Sequence, residues 1–260
     1  MREIKRQKTG KDHCGGVWSA ARILTDRAVR ICFPEKCPLC GQILKKDQLV
    51  CQKCRKALLQ IKGTRCKKCG KLMEHPEEEY CKDCRKGSHV YSRGLCIFPY
   101  EGNLRKAVQR FKYQNLRCYA RFFGTVMAAK AQKQLKSWQP DVVIPIPLHK
   151  ERLKKRGYNQ AFLLAEVIGE WTQIPVLEHG LIRIAKTDPQ KNLDRKKRQI
   201  NLKRAFKIGP DDVKLKRVLL VDDIYTTGST VDAAAQILLE AGAESVFFLA
   251  LCGGQAQQQE

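Results

Sequence analysis

Two groups of residues have the types and spacing to do chemistry. One is Asp222-Asp223 followed, after Ile224-Tyr225, by Thr226-Thr227-Gly228-Ser229-Thr230, an acidic pair just ahead of four hydroxyls and a glycine. Hydroxyl donors, free backbone N–H groups and the positive end of a helix dipole can converge on one anion, and a phosphate fits there. Carboxylates beside such a cradle can accept from the hydroxyls of a sugar, so the pattern suggests a sugar phosphate. The other group is eight cysteines in four C-x-x-C pairs, Cys37/Cys40, Cys51/Cys54, Cys66/Cys69 and Cys81/Cys84, separated by ten to eleven residues. A C-x-x-C turn aims both sulfurs at one ion, and two such turns close a tetrahedral site, so this spacing reads as a double zinc ribbon holding two structural Zn2+.

Blander readings compete. A strand ending in acids also occurs in P-loop NTPases, but no glycine of this chain begins the G-x-x-x-x-G-K-[ST] segment they require. A helix cap accounts for one carboxylate near a helix start, not for an adjacent pair plus a hydroxyl run. For the cysteines, glycine follows the second sulfur in the first and third pairs (Gly41, Gly70). That recurrence favours sequential pairing, one ion on Cys37, Cys40, Cys51 and Cys54 and one on Cys66, Cys69, Cys81 and Cys84; a cross-braced arrangement stays open, as does an iron–sulfur cluster. Such closed sites serve folding rather than catalysis. His75 lies inside the second ribbon and reads as solvated beside Glu77, Glu78 and Glu79.

The elements that must position these groups follow from periodicity. Val218 to Val221 is a continuous apolar run, the mark of a strand covered on both faces in a parallel sheet, and the acids sit at its carboxyl end, where open α/β sheets bind ligands. Val231, Ala234, Ala235, Leu238 and Leu239 then repeat at helical spacing up to Gly242. Upstream, Ile97 to Tyr100 reads as a strand, Leu104, Ala107, Val108 and Phe111 as one face of a helix, and Ala120 to Leu135 as a second helix. Asp141 to Leu148 is a buried strand entering a proline-fixed loop, with His149, Lys150, Arg152, Lys154, Lys155 and Arg156 behind it, a basic loop able to meet a pyrophosphate. Phe162 to Ile168 is helical, and Leu181 to Ile184 and Ser245 to Leu251 are strands. Lys106, Arg110 and Lys112 read chiefly as surface charge. The expected division is a basic tail and short helix over 1–30, a double zinc ribbon over 31–92, an α/β domain over 93–254 and a tail over 255–260.

With 43% hydrophobic residues the chain can bury a real core, and its formal charge is +24. Two zinc ions on eight thiolates would bring that to about +20, still strongly basic, which favours nucleic acid or polyphosphate ligands without choosing between them. Trp18, Ala21, Leu24, Ala28 and Ile31 can share one helix face, for packing or, with Arg22, Arg27 and Arg30, for a membrane surface. No run is long and apolar enough to span a membrane and the first residues are too charged for a signal peptide, so a cytoplasmic location is expected. Cys14, Cys32, Cys96, Cys118 and Cys252 are left without an assignment.

The apolar run, Asp-Asp, and Thr-Gly-Ser-Thr resemble the 5-phosphoribosyl-pyrophosphate (PRPP) loop of type I phosphoribosyltransferases. Pro145-Ile146-Pro147-Leu148 and Arg156-Gly157-Tyr158-Asn159-Gln160, with the amino-terminal cysteines, resemble the ComF family over nearly the whole chain. The resemblance implies an α/β type I phosphoribosyltransferase fold, a parallel sheet flanked by helices, behind an N-terminal double zinc ribbon. It assigns Thr226, Thr227, Gly228, Ser229 and Thr230 to the 5′-phosphate, and Asp222 and Asp223 to the ribose and to stabilising a cationic sugar. It puts Pro147, Leu148, Arg152 and Arg156 on the pyrophosphate side with Mg2+, and Thr187, Gln190, Arg198 and Asn201, within the basic segment from Lys186 to Arg217, in a lid. Implied partners are PRPP or a related sugar phosphate, single-stranded DNA, and a competence helicase or other uptake protein. Three functions follow as expectations: phosphoribosyl transfer to an unidentified acceptor in DNA uptake or nucleotide salvage; PRPP sensing or single-stranded DNA binding without catalysis; and an adaptor docking through its ribbon. Asp222 and Asp223 are both expected in a solvated crevice rather than in the core.

Overall fold

A computed structural model describes residues 35–87, 89–184, 205–211, 213 and 216–254. The chain divides into two compact units, Met1–Ile61 and Lys62–Glu260. The predicted helix around Trp18, Cys14, Cys32, and the lid residues Thr187, Gln190, Arg198 and Asn201 lie outside the described residues.

In the first unit a Lys36–Ile43 bridge frames the first C-x-x-C turn, and α1 (Gln52–Gln60) starts at Cys51, whose sulfur accepts from the Cys54 backbone N–H. The second unit opens with the same design: an Arg65–Leu72 bridge frames the third turn, and α2 (Lys82–Lys86) starts at Cys81 and carries Cys84. The α/β body runs β1 (Arg93–Pro99), α3 (Gly102–Tyr113), α4 (Tyr119–Trp138), β2 (Val142–Pro145), α5 (Lys150–Arg156), α6 (Gln160–Thr172), β3 (Leu181–Arg183), β4 (Phe206–Ile208), β5 (Arg217–Tyr225), α7 (Ser229–Glu240) and β6 (Ser245–Gly253).

Four strands form a sheet in the order β1-β6-β5-β2, every neighbouring pair parallel. Beyond β2, a parallel bridge from Val143 to Val176 extends it by one contact. The β3–β4 pair is a separate antiparallel ribbon. Continuous apolar runs are needed because both sheet faces are covered. On one face Val218, Leu220, Val246, Phe248 and Ala250 pack with Ala234 and Leu238 of α7 and with Cys66, Cys69 and Tyr91. The intervening residues Leu219, Val221 and Leu249 are also fully buried and, by strand alternation, serve the other face. There α4 and α6 pack together and against the sheet, with Trp138 stacked on Phe247 at 5.1 Å between centroids. In α3 the predicted apolar set Leu104, Ala107, Val108 and Phe111 is the buried face. The strand predicted at Ile97 begins earlier, at Arg93, because Gly94, Leu95 and Cys96 already pair with β6. No described helix is long and apolar enough to cross a membrane.

Candidate functional site

The acidic pair lies near the carboxyl end of β5, where Asp222 pairs with Ala250 of β6 while the register with β2 stops one residue earlier, at Val221. Asp222 Oδ1 accepts from the Asp223 backbone N–H at 2.8 Å. Asp223 is buried, contrary to the expected solvated crevice, because Lys112 reaches it from the last turn of α3: the Lys112 Nζ to Asp223 Oδ1 distance is 2.8 Å. Lys112 is thus a part of the site rather than a surface charge, with its side chain 15% exposed. Burial pulls the Lys112 pKa down, and Asp223 with Asp222 more than reverses this, keeping the ammonium charged. Burial, reinforced by the Asp223 charge, pushes the Asp222 carboxyl up to about 7, against the pull of Lys112, the Asp223 N–H and Arg183. The carboxyl that titrates near neutrality and the one held in an ion pair therefore sit side by side.

After Tyr225 the chain turns through the predicted phosphate loop. Gly228 adopts φ 87° as N-cap of α7, a left-handed conformation that suits glycine. A Cβ there would also stand 2.5 Å from the Tyr225 hydroxyl and 2.9 Å from His89 Cε1, so the loop is drawn tightly over two ring side chains. Thr226, Thr227 and Ser229 are exposed, with Thr227 Oγ1 and Ser229 Oγ 3.0 Å apart. Two hydroxyls and the first backbone N–H groups of a twelve-residue helix are thereby offered together, the arrangement that holds an anion.

Across from the acids, Pro147 and Leu148 lie half-buried in the loop between β2 and α5. Arg152, Lys155 and Arg156 of α5 line, with Tyr113, an open cavity of about 300 Å3. Arg156 lies over the Tyr113 ring at 5.0 Å and donates to Gln160 Oε1 at 2.9 Å. The Arg-Gly-Tyr-Asn-Gln run proves to be the brace of this corner. Gly157 closes α5 with φ 76°, and the Tyr158 hydroxyl donates to the Phe111 carbonyl. Asn159 caps α6 through the Ala161 N–H and donates to the Ile146 carbonyl at 3.0 Å, while Gln160 is buried. Burial lowers the pKa of Arg183 on β3, with Arg152 adding to this and Asp222 opposing it.

The cysteines form two clusters, Cys37, Cys40, Cys51, Cys54 and Cys66, Cys69, Cys81, Cys84, each with its four sulfurs within 4.8 Å of one another. This is the sequential pairing. In the second, the Cys81 backbone N–H donates to Cys66 Sγ at 3.3 Å, and Gly70, at φ 68°, lets the turn lie on β1: a Cβ there would be 2.6 Å from the Gly94 carbonyl oxygen. Four thiolate donors in a closed shell fit structural zinc. His75 stays outside, exposed beside Glu77. Cys96 and Cys252 are buried and Cys118 is exposed, and none of the three joins a cluster.

Residues that the sequence did not assign to the site are Tyr113 and Arg183, and Lys112 reads there chiefly as surface charge. Lys112 flanks the apolar face of α3, a place from which it could reach a ligand but which reads more readily as surface charge.

Comparison with known proteins agrees with this architecture. Residues 28–85 match the double zinc ribbon domain family and residues 123–260 the phosphoribosyl transferase domain family. The chain is 37% identical to Competence protein F of Haemophilus influenzae over 63% of its own length and 73% of that protein. It is 31% identical to Competence protein ComFC of Bacillus subtilis over 77% and 82% respectively. To the DNA utilization protein YhgH of Escherichia coli (strain K12) it is 36% identical, over 44% of this chain and 49% of that one. Among solved structures, a purine phosphoribosyltransferase from Pyrococcus horikoshii Ot3 aligns with 50% of this chain and 72% of that chain at 21% identity, with a TM-score of 0.32. With a double zinc ribbon, a phosphoribosyltransferase domain, and two competence proteins matched over most of their length, the chain belongs to the ComF family.

Proposed function

We propose that the crevice at the carboxyl end of β5 binds PRPP with Mg2+ and that the chain transfers its phosphoribosyl group to an acceptor. The observation that carries this is the meeting of an acidic pair, one member titrating at about 7, with an exposed hydroxyl loop at a helix start. Thr226 to Thr230 would take the 5′-phosphate, and Asp222 and Asp223 the ribose hydroxyls. The two carboxylates are oxygen ligands of the kind Mg2+ accepts alongside substrate phosphates. The chemistry supplied by the bound cation is neutralisation of charge on the leaving pyrophosphate. Arg152 and Arg156 flank the cavity where that group would emerge. The C1–oxygen bond breaks with its electron pair leaving on pyrophosphate, the acceptor's lone pair forms the new bond to C1, and the acceptor's proton passes to solvent. The ionised carboxylates favour the positive charge that develops on the sugar, and electrostatic preorganisation of this kind is commonly the largest catalytic contribution.

The names of the relatives, competence and DNA utilization proteins, support a role in handling DNA; a cytoplasmic location, with single-stranded DNA and a competence helicase or other uptake protein as partners, belongs to the same proposal. A second reading has support of its own: Tyr113 is 67% exposed beside Arg152, Lys155 and Arg156, an aromatic among cations of the kind that stacks a base and grips its phosphate. On that reading the crevice senses PRPP without turning it over. Pyrophosphate release from PRPP·Mg2+, measured with a panel of free bases and with single-stranded oligonucleotides, separates the two. Release that depends on an acceptor establishes transfer; binding of PRPP with no release under any acceptor leaves the sensor.

A further inference from the structure

The second cysteine cluster touches the phosphate loop from both sides. Lys71, in the turn between Cys69 and Cys81, is 7% exposed and spends all three ammonium protons on it and its surroundings. Nζ donates to Asp83 Oδ2 at 2.6 Å, between the cluster's last two cysteines, to the Thr226 carbonyl at 3.0 Å, and to the Gly254 carbonyl at 3.4 Å. The ammonium also lies 5.6 Å over the Tyr225 ring. Its stem is pressed against the end of β6, where a Cβ on Gly253 would be 2.7 Å from Lys71 Cγ.

On the far side of the loop, the segment leaving α2 returns to the helix that the loop begins. His89 Nδ1 is 2.5 Å from Asp232 Oδ2, and the Val90 backbone N–H donates to Asp232 Oδ1 at 3.1 Å. Beneath it, the Tyr91 and Tyr225 hydroxyls are 2.8 Å apart, and the Tyr91 ring stacks on His89. The residue before the loop and the first turn after it are therefore both fastened to the ribbon that carries Cys66, Cys69, Cys81 and Cys84.

We propose that this second metal site, acting through Lys71, positions the phosphate loop, so that its occupancy and the binding of a sugar 5′-phosphate at Thr226 to Thr230 rise and fall together. Lys71 is a positioning residue: its bonds go to backbone carbonyls and to Asp83, fixing Thr226 while leaving the exposed hydroxyls free for ligand. The first site, Cys37, Cys40, Cys51 and Cys54, belongs to the other compact unit, and the proposal gives it no such duty. The two zinc sites are thus unequal, one being part of the ligand-binding apparatus. The ligand assignment rests on the PRPP reading; the loop-positioning claim does not.

The test uses the full chain in four forms: wild type, Lys71→Met, Asp83→Asn, and Cys37→Ser/Cys40→Ser as control. Zinc content, amide hydrogen exchange over residues 225–231, and calorimetric titration with PRPP·Mg2+ are measured on each. Lys71→Met should keep the second zinc yet exchange its loop amides at least tenfold faster and bind PRPP at least tenfold more weakly. Asp83→Asn, which keeps Lys71 but removes the charge of its anchor on the ribbon, should shift both readouts in the same direction. The Cys37→Ser/Cys40→Ser control should lose one zinc and match wild type in loop exchange and affinity. Unchanged loop exchange in Lys71→Met or Asp83→Asn, or a loop equally loosened in the first-site control, overturns the proposal. A wild type that binds no PRPP defeats the substrate reading instead, while the exchange data still decide the coupling.

Discussion

Lys112 and Asp223 set the electrostatics of the crevice. Their side chains are only 15% and 11% exposed at a separation of 2.8 Å, so neither charge can be removed without stranding the other. Breaking a buried pair from one side costs roughly 3–5 kcal/mol, and the residual exposure here argues for the low end. Asp223→Asn should therefore destabilise the protein by about 3 kcal/mol as well as weaken ligand binding. Lys112→Met should do likewise, and the double variant should lose less than the sum, by chemical denaturation, because no charge is then left stranded. Additive losses would show that the pair does not interact.

Asp222 yields a pH prediction. Its pKa is raised by burial and by Asp223 to about 7, so the fold favours the neutral form. That contribution to stability is present below the ordinary carboxyl range and is lost as pH rises through about 7. Gripping ribose or Mg2+ needs the ionised form, so affinity for PRPP·Mg2+ should climb between pH 6 and 7 and level off above. Asp223 raises the Asp222 pKa, and Lys112 and Arg183 are the cations that oppose this. The 5′-phosphate itself titrates near 6, so the informative quantity is the difference from Asp222→Asn, calorimetrically titrated at each pH. A wild-type profile that parallels the variant's would mean Asp222 does not engage the ligand.

At the scale of elements, the strand, acid pair, loop and helix from Val218 to Leu239 were legible because the chemistry is contiguous: one continuous segment holds the run, the carboxylates, the hydroxyls and the helix. The zinc knuckles were legible for the same reason, each needing only a C-x-x-C turn, and the recurring glycine correctly indicated the pairing. What the sequence could not show are contacts made across the fold. Lys71 meets Thr226 from 155 positions away and His89 meets Asp232 from 143. Lys112 lies on a polar helix face that becomes interior only because the end of β5 is beneath it. The Arg-Gly-Tyr-Asn-Gln run was visible as a motif, but its bracing of α5, α6 and the loop after β2 was not. Eight thiolates in two closed shells predict two zinc ions per chain by metal analysis, and residues 66 to 84 should lose protection from proteolysis when a chelator strips them. A stoichiometry of one, or iron in place of zinc, would contradict the two-ribbon account.

At the scale of the whole molecule, a formal charge of +24 is a strong electrostatic field for any polyanion. If single-stranded DNA is a partner, its affinity should fall steeply as salt rises, since each phosphate neutralised releases counterions. Fluorescence titrations of an oligonucleotide at several salt concentrations measure the slope, and a flat response would remove DNA from the partners. Substituting Tyr113 by Ala should weaken that binding by about 1–3 kcal/mol if the exposed ring stacks a base.

The central claim is that Asp222, Asp223 and the loop from Thr226 to Thr230 form one sugar-phosphate site. Calorimetric titration of PRPP with Mg2+ into wild type, Asp222→Asn and Thr227→Ala tests it most directly. Saturable one-to-one binding is predicted for wild type, with Thr227→Ala weaker by about 1–3 kcal/mol, the worth of a hydrogen bond to a charged group, and Asp222→Asn weaker at pH 8, where the carboxylate is ionised. Equal affinity in all three, or no heat of binding in the wild type, would contradict it.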